Sequence, residues 1–148
     1  MKAIQYIEAG KPEWVDVDDP KPGEKQVVVQ VRGVTTCPHW DMHIMAGKSM
    51  APGGVVNYPY PVGQPGHEEI GHVIAVAEGV ESLAVGDNVA FWQDQGANRQ
   101  GCYAELVLAE EGNLLKVSAE YTPQQIASLE LAMCVQVSFD QILNISPI

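Results

Sequence analysis

Between Met1 and Val117, short β-branched segments alternate with turns built on glycine, proline and aspartate. That punctuation suits short strands and argues against a helical bundle. Gln26–Val34 is the clearest case: five valines in nine residues, with glycine next to the end. Met1–Ile7, Glu13–Val17, Glu69–Val80, Val85–Trp92, Gly101–Leu108 and Leu114–Val117 read as further strands or strand-plus-turn units. Many of the 14 Gly and 10 Pro fall in the turns between them. Strands this short and closely spaced predict a mainly β fold with a few helices, arranged as a small antiparallel β barrel or sandwich. At 148 residues the chain is long enough for one domain with its own core.

Two stretches depart from the strand pattern. In Thr35–Gly47, Pro38 suits a first helical turn, and Asp41, Met42, Ile44 and Met45 fit one or two turns. Further on, Thr122, Pro123 and Gln125 have the order of an N-cap, an N1 proline and an N3 partner. They open a helix carrying Ile126, Ala127, Leu129, Leu131, Ala132 and Met133 toward Cys134, and apolar residues continue to Ile148. Lys48–Pro65 is a long loop rich in glycine and proline, of the kind that usually serves a site. Gln93–Gln100 is a polar loop.

A net charge of −11 with only 8 Lys and Arg lacks the basic footprint that nucleic acid or an anionic membrane surface requires. No continuous run reaches the ~18 apolar residues of a membrane span. Met1–Tyr6 lacks the apolar core of a signal peptide. The three cysteines, at 37, 102 and 134, are odd in number and widely spaced. They read as reduced thiols in a cytoplasmic protein, not as a disulfide framework.

Chemistry concentrates in Pro65–Val73, where His67, Glu68, Glu69 and His72 are interleaved with Gly66 and Gly71. A polar turn entering a strand is one reading. The other is a site, because histidine is the commonest metal ligand and a natural proton carrier. His67 with Cys37 and Cys134 makes a Cys2His set of the kind that holds catalytic zinc and leaves a fourth position open. The alternative for the thiols is burial, Cys134 in a helix and Cys37 in a loop. His72 reads as a partly exposed or hydrogen-bonded side chain. Trp40, Trp92, Tyr58 and Tyr60 suit either a substrate pocket or loop packing. Cys102 reads as core, and the acidic residues from Glu105 to Glu120 as a solvated face.

Taken together, Gly66-His67-Glu68-Glu69-Ile70-Gly71-His72-Val73, then Gly79-Val80, then Val85-Gly86-Asp87-Asn88-Val89, resemble the zinc-containing alcohol dehydrogenases of the medium-chain dehydrogenase/reductase superfamily. The family's Gly-His-Glu-x-x-Gly run, strand and Gly-Asp-x-Val turn are all matched. Cys37…Asp41-Met42-His43 resembles its Cys…Asp-x-His loop. Gly101-Cys102-Tyr103-Ala104-Glu105 resembles its Gly-x-x-Ala-Glu strand, and Thr122–Ser138 the helix before its coenzyme domain. The resemblance spans essentially the whole chain and implies a GroES-like β barrel, the catalytic domain of such an enzyme, over residues 1–148.

The resemblance further implies one catalytic Zn2+ held by Cys37, His67 and Cys134. Glu68 would approach or support the metal, Asp41 would orient the ligand imidazole, and His43 would stand at the outer end of a proton relay. The implied reaction is interconversion of a small alcohol with an aldehyde or ketone, with hydride passing to NAD or NADP. The loop departs from the family pattern. Cys37-Pro38-His39-Trp40-Asp41 is one residue longer and lacks the relay hydroxyl, so His39 is its expected replacement or an alternative first ligand. Glu130 stands near a carboxylate-ligand position of some relatives, although Cys134 fits the spacing better through Ser138. Without cysteines in Gln93–Gln100, no structural zinc is expected. The resemblance leads one to expect a Rossmann domain after residue 148, opening with a strand and a Gly-x-Gly-x-x-Gly loop that these residues do not hold. The isolated domain is therefore expected to be inactive, and homo-oligomers belong to the full-length enzyme. Two other readings keep the fold: a zinc-free quinone-reductase-like domain, and a non-enzymatic GroES-like binding module.

Overall fold

The computed structural model describes residues 1–92 and 99–145. The Gln93–Gln100 loop, on which the expectation of no structural zinc rests, falls largely outside them, as does Ser146–Ile148. Among the described residues the chain is mainly β. A hairpin, β1 (Lys2–Glu8) with β2 (Lys11–Asp16), stands apart from a five-stranded antiparallel sheet. The sheet comprises β3 (Gln26–Thr35), β4 (Glu68–Val76), β5 (Asn88–Phe91), β6 (Leu106–Glu110) and β7 (Leu114–Val117), in the order β6-β3-β4-β5-β7.

One core shows how the sheet rolls up. Val27 and Val29 of β3, Val73 of β4, Val89 and Phe91 of β5, Val107 and Ala109 of β6, and Leu114 of β7 form a single buried cluster. Both edge strands feed it, so the sheet curves around its own apolar face. β1 helps to close it. Ile4 N–H donates to the Tyr103 carbonyl at 2.8 Å, and Glu105 N–H donates to the Lys2 carbonyl at 3.0 Å. A satellite cluster of Tyr6, Ile44 and Tyr60 seats α1 (Pro38–Met45) beside the barrel, where the Tyr58 hydroxyl donates to the Ile44 carbonyl. The Lys48–Pro65 loop supplies two of those aromatic residues and is packed through them.

Several boundaries differ from the sequence expectation. The Gly101–Leu108 strand begins only at Leu106, because Tyr103 to Glu105 instead bond to β1 and to Val31. The helix opened by Thr122 divides into α2 (Pro123–Ile126) and α3 (Leu129–Ile145). Its N-terminus is held as the sequence suggests, with Gln125 Oε1 accepting from Thr122 N–H at 2.8 Å. The helical segment Pro123–Leu143 is also long and apolar enough, by length and composition, to cross a membrane, and none of it is buried. Glu130, Gln136 and Asp140 interrupt it, which is why no continuous apolar run shows in the sequence.

Candidate metal centre

The antiparallel register of β3 and β4 creates the site. Thr35 pairs with Glu68 at the end of the ladder. Two residues beyond Thr35 lies Cys37, the N-cap of α1, and one residue before Glu68 lies His67. Side chains thirty positions apart in sequence therefore meet at one end of the barrel. A ligand atom from each of Cys37, His67 and Glu68 lies within 4.8 Å of the others. The Thr35 hydroxyl donates to the Ala127 carbonyl, which ties the α2–α3 junction to the same strand end.

Glycines let the chain pack this tightly. A Cβ on Gly66 would stand 2.8 Å from the Tyr103 ring and 2.9 Å from Cys102 Sγ. On Gly71 it would stand 2.3 Å from the Gln30 carbonyl oxygen of the neighbouring strand. The spacing of the Gly-His-Glu-x-x-Gly run is thus a steric requirement for setting His67 and Glu68 against the barrel.

His67 is oriented by the backbone. Its Nδ1 lies 2.8 Å from the Pro65 carbonyl oxygen, which can only accept, so in the neutral ring Nδ1 carries the proton and Nε2 keeps its lone pair. Nε2 in turn lies 3.7 Å from Glu68 Oε1. Trp40 packs against the imidazole, with ring centroids 4.8 Å apart. Trp40 also walls a cavity of about 380 Å³ whose other lining includes Ile44, Met50, Val56 and Tyr60. Trp40 thus stands between the His67 ring and this largely apolar space.

The carboxylates respond to burial. Desolvation raises the Glu68 carboxyl, His67 opposes it, and Glu130 and Asp41 add smaller upward effects. Asp41 is also raised by burial, against the Tyr103 hydrogen bond and the charge of His67. Its two oxygens accept from the Tyr103 hydroxyl at 3.0 and 2.9 Å. The expectation that Asp41 orients the imidazole needs correcting: the Pro65 carbonyl makes that contact, and the Asp41 carboxylate is bonded to the Tyr103 hydroxyl.

Cys134 stands on the open side. It is exposed, and its thiol donates to Glu130 Oε1 at 3.2 Å. That hydrogen bond, then burial and the charges of Glu130, Glu68 and Cys37, push the thiol up to about 11. Cys134 and Glu130 thus lie within electrostatic reach of Glu68 and Cys37 without joining the cluster of Cys37, His67 and Glu68. His39 is exposed, and its ring lies 4.8 Å from that of half-buried His43, whose Nδ1 is buried without a hydrogen-bond partner. Neither belongs to the cluster. His72 lies partly exposed in a groove with Arg32 and Asn88.

Two residues at the site escaped sequence reasoning. Glu69 is fully buried, both of its oxygens lack partners, and burial raises it well above the ordinary carboxylate range. Tyr103 holds Asp41. The only signals were the doubled glutamate after His67 and the aromatic residue inside Gly-x-x-Ala-Glu.

The donor set suits zinc: a thiol, an imidazole with a free Nε2 and a carboxylate, partly dry and leaving room for further ligands. Residues 23–119 match the alcohol dehydrogenase GroES-like domain family. The chain belongs to that family, and with it to the medium-chain dehydrogenase/reductase superfamily. It is 29% identical to an alcohol dehydrogenase of Moraxella sp. (strain TAE123), over 93% of this chain and 45% of that enzyme. An alcohol dehydrogenase superfamily protein from Novosphingobium aromaticivorans superposes with a TM-score of 0.75 at 30% identity, covering 88% of this chain and 38% of that one. A quinone oxidoreductase from Pseudomonas syringae pv. Tomato DC3000 gives 0.69 at 31% identity, covering 88% and 37%. The chain spans less than half the length of these relatives. The homologues are oxidoreductases, and the GroES-like fold expected from the sequence is the one observed.

Proposed function

We propose that this domain is the zinc-binding catalytic half of an NAD(P)-linked alcohol dehydrogenase-like oxidoreductase. The observation that carries this reading is the convergence of Cys37, His67 and Glu68 at one strand end, with Cys134 and Glu130 facing them from α3. Zn2+ bound there supplies Lewis acidity that favours the alkoxide of an alcohol or polarises a carbonyl oxygen. Cys37 and His67 Nε2 would be its barrel-side ligands, Cys134 would be the third, and Glu68 would approach or support it. The nicotinamide supplies the hydride acceptor from a coenzyme domain. The exposed apolar face of α3 is the natural seat for that domain, not for a bilayer, because the same helix delivers Glu130 and Cys134 to the metal end.

The chain's own groups account for binding and proton traffic. Trp40 and the apolar cavity behind it suit the carbon skeleton of a small uncharged alcohol, aldehyde or ketone. His43, with an unpartnered Nδ1, and exposed His39 form a path that passes a proton from the interior to solvent. The likeness to a quinone oxidoreductase favours a second, zinc-free reading of the same fold.

Elemental analysis separates the two. Near-stoichiometric zinc is expected in the wild-type chain, abolished by His67→Ala and reduced by Cys134→Ala. A folded wild-type protein without zinc would leave the quinone-reductase-like reading standing. In a chain that includes a coenzyme domain, alcohol-dependent reduction of NAD+ or NADP+ is the activity expected.

A further inference from the structure

We propose that Tyr103 is a positioning residue of the metal centre, acting through Asp41; this rests on the zinc reading above. Tyr103 touches both halves of the site. Its ring packs on Gly66, the residue before His67, so closely that a Cβ there would stand 2.8 Å from it. Its hydroxyl donates to both carboxylate oxygens of Asp41, on α1, one turn beyond Cys37. Tyr103 therefore couples the peptide that carries one ligand to the helix that starts at another.

Its own position is fixed from two sides. Its N–H donates to the Gly63 carbonyl at 3.0 Å, and its carbonyl accepts from Ile4 N–H at 2.8 Å. The neighbouring Cys102 N–H donates to the Gly66 carbonyl at 2.9 Å. The strand end on which the ligands sit is thus held by the segment that carries Tyr103.

The consequence is electrostatic. His67 Nδ1 already bonds to Pro65, so Asp41 has no imidazole hydrogen to accept, and its charge acts on the centre at a distance. A half-buried carboxylate keeps its charge and orientation only if donors satisfy it, and the Tyr103 hydroxyl is that donor. An oriented anion beside a thiol, imidazole and carboxylate set strengthens its hold on a divalent cation. Partners of this outer kind typically change metal affinity by about 10- to 100-fold when removed.

The test is a competition titration of Zn2+ with a chromophoric chelator, using the 148-residue chain as wild type, Tyr103→Phe, Asp41→Asn and the double variant. Absorption spectra with Co2+ in place of Zn2+ report the ligand field. Tyr103→Phe keeps the ring on Gly66 and removes only the hydroxyl, so its affinity should fall about tenfold while the metal-free protein stays folded. Asp41→Asn should fall at least as far, and the double variant no further than Asp41→Asn alone. Wild-type affinity and an unaltered Co2+ spectrum in Tyr103→Phe would overturn the proposal, as would losses that add in full. Should Tyr103→Phe fail to fold, Asp41→Asn decides: undiminished affinity there overturns the proposal as well. A folded wild type that takes up neither Zn2+ nor Co2+ overturns the zinc reading itself, and this one with it.

Discussion

The two sides of the candidate centre are built differently. On the barrel side, His67 and Glu68 are almost buried, flanked by glycines that admit no side chain, and set by a ladder in which Thr35 pairs with Glu68. On the α3 side, Cys134 and Glu130 sit on a helix whose Leu131, Val135, Phe139 and Ile142 are all about half exposed or more. The barrel side is pre-organised by packing that this chain supplies in full. The α3 side is placed mainly by its first turns, with most of its apolar face uncovered. A metal site divided this way has ligands already in position on one wall. The other wall presents its apolar side chains uncovered.

The largest expected effect comes from striking the two sides with similar small changes. Gly71→Ala drives a Cβ to 2.3 Å from the Gln30 carbonyl, which is backbone and cannot swing away. The cost should be on the order of 3 kcal/mol, the upper end for forced overpacking. Leu131→Ala removes far more atoms, but from a side chain 55% exposed on α3, and should change stability by no more than about 0.5 kcal/mol. Urea denaturation of both variants measures the difference. Equal losses would show that α3 is as firmly packed as the barrel and would erase the contrast.

The same division decides what the sequence could reveal. The barrel was legible because its strands advertise themselves: the valines of Gln26–Val34 and the Gly-His-Glu-x-x-Gly run carry local rules of pleat and close approach. Cys37 and His67 were legible as potential ligands by residue type, and the β3–β4 register brings them together. The role of Asp41 was not legible. It depends on which of two acceptors, Asp41 or the Pro65 carbonyl, sits beside His67 Nδ1, and on a tyrosine sixty-two positions away. The burial of Glu69 was hidden for a related reason. Alternation predicts one face in and one face out, yet both Glu68 and Glu69 are covered, since α1 and the Cys102–Tyr103 segment pack against the strand end. The split between α2 and α3 falls where a tertiary contact is made, the Thr35 hydroxyl on the Ala127 carbonyl, which no local pattern announces.

A smaller effect separates the sides by pH. Glu69 has its carboxyl raised well above the ordinary value by burial alone. The folded state therefore holds that proton where the unfolded state releases it. Its contribution to stability is full below the unfolded glutamate value, near 4.3, and is lost as pH rises from there toward the folded value. Glu68, raised less, acts in the same direction. Glu69→Gln carries no titrating proton, so its stability should fall less than that of the wild type between pH 4.5 and pH 8. Urea melts at intervals across that window are the measurement. Parallel pH profiles for the two proteins would mean that Glu69 is not buried as described.

The smallest effect is confined to the open wall. The Cys134 thiol is pushed up to about 11, chiefly because it donates to Glu130. Glu130→Gln removes the negative acceptor while keeping the helix, so the thiol should move down toward the ordinary cysteine range. Each unit of decrease raises the thiolate fraction at pH 8 about tenfold but lowers its nucleophilicity by about threefold, a net gain of about threefold in alkylation rate. Peptide-resolved mass spectrometry after timed iodoacetamide treatment reads this at Cys134 against Cys102, which is buried and should stay unreactive in both proteins. A rate at Cys134 that does not change would mean that the Glu130–Cys134 contact does not persist in solution. The Cys134 side chain would then be held by neither a packed apolar face nor a hydrogen bond, and its place relative to Cys37, His67 and Glu68 would not be fixed by the described residues.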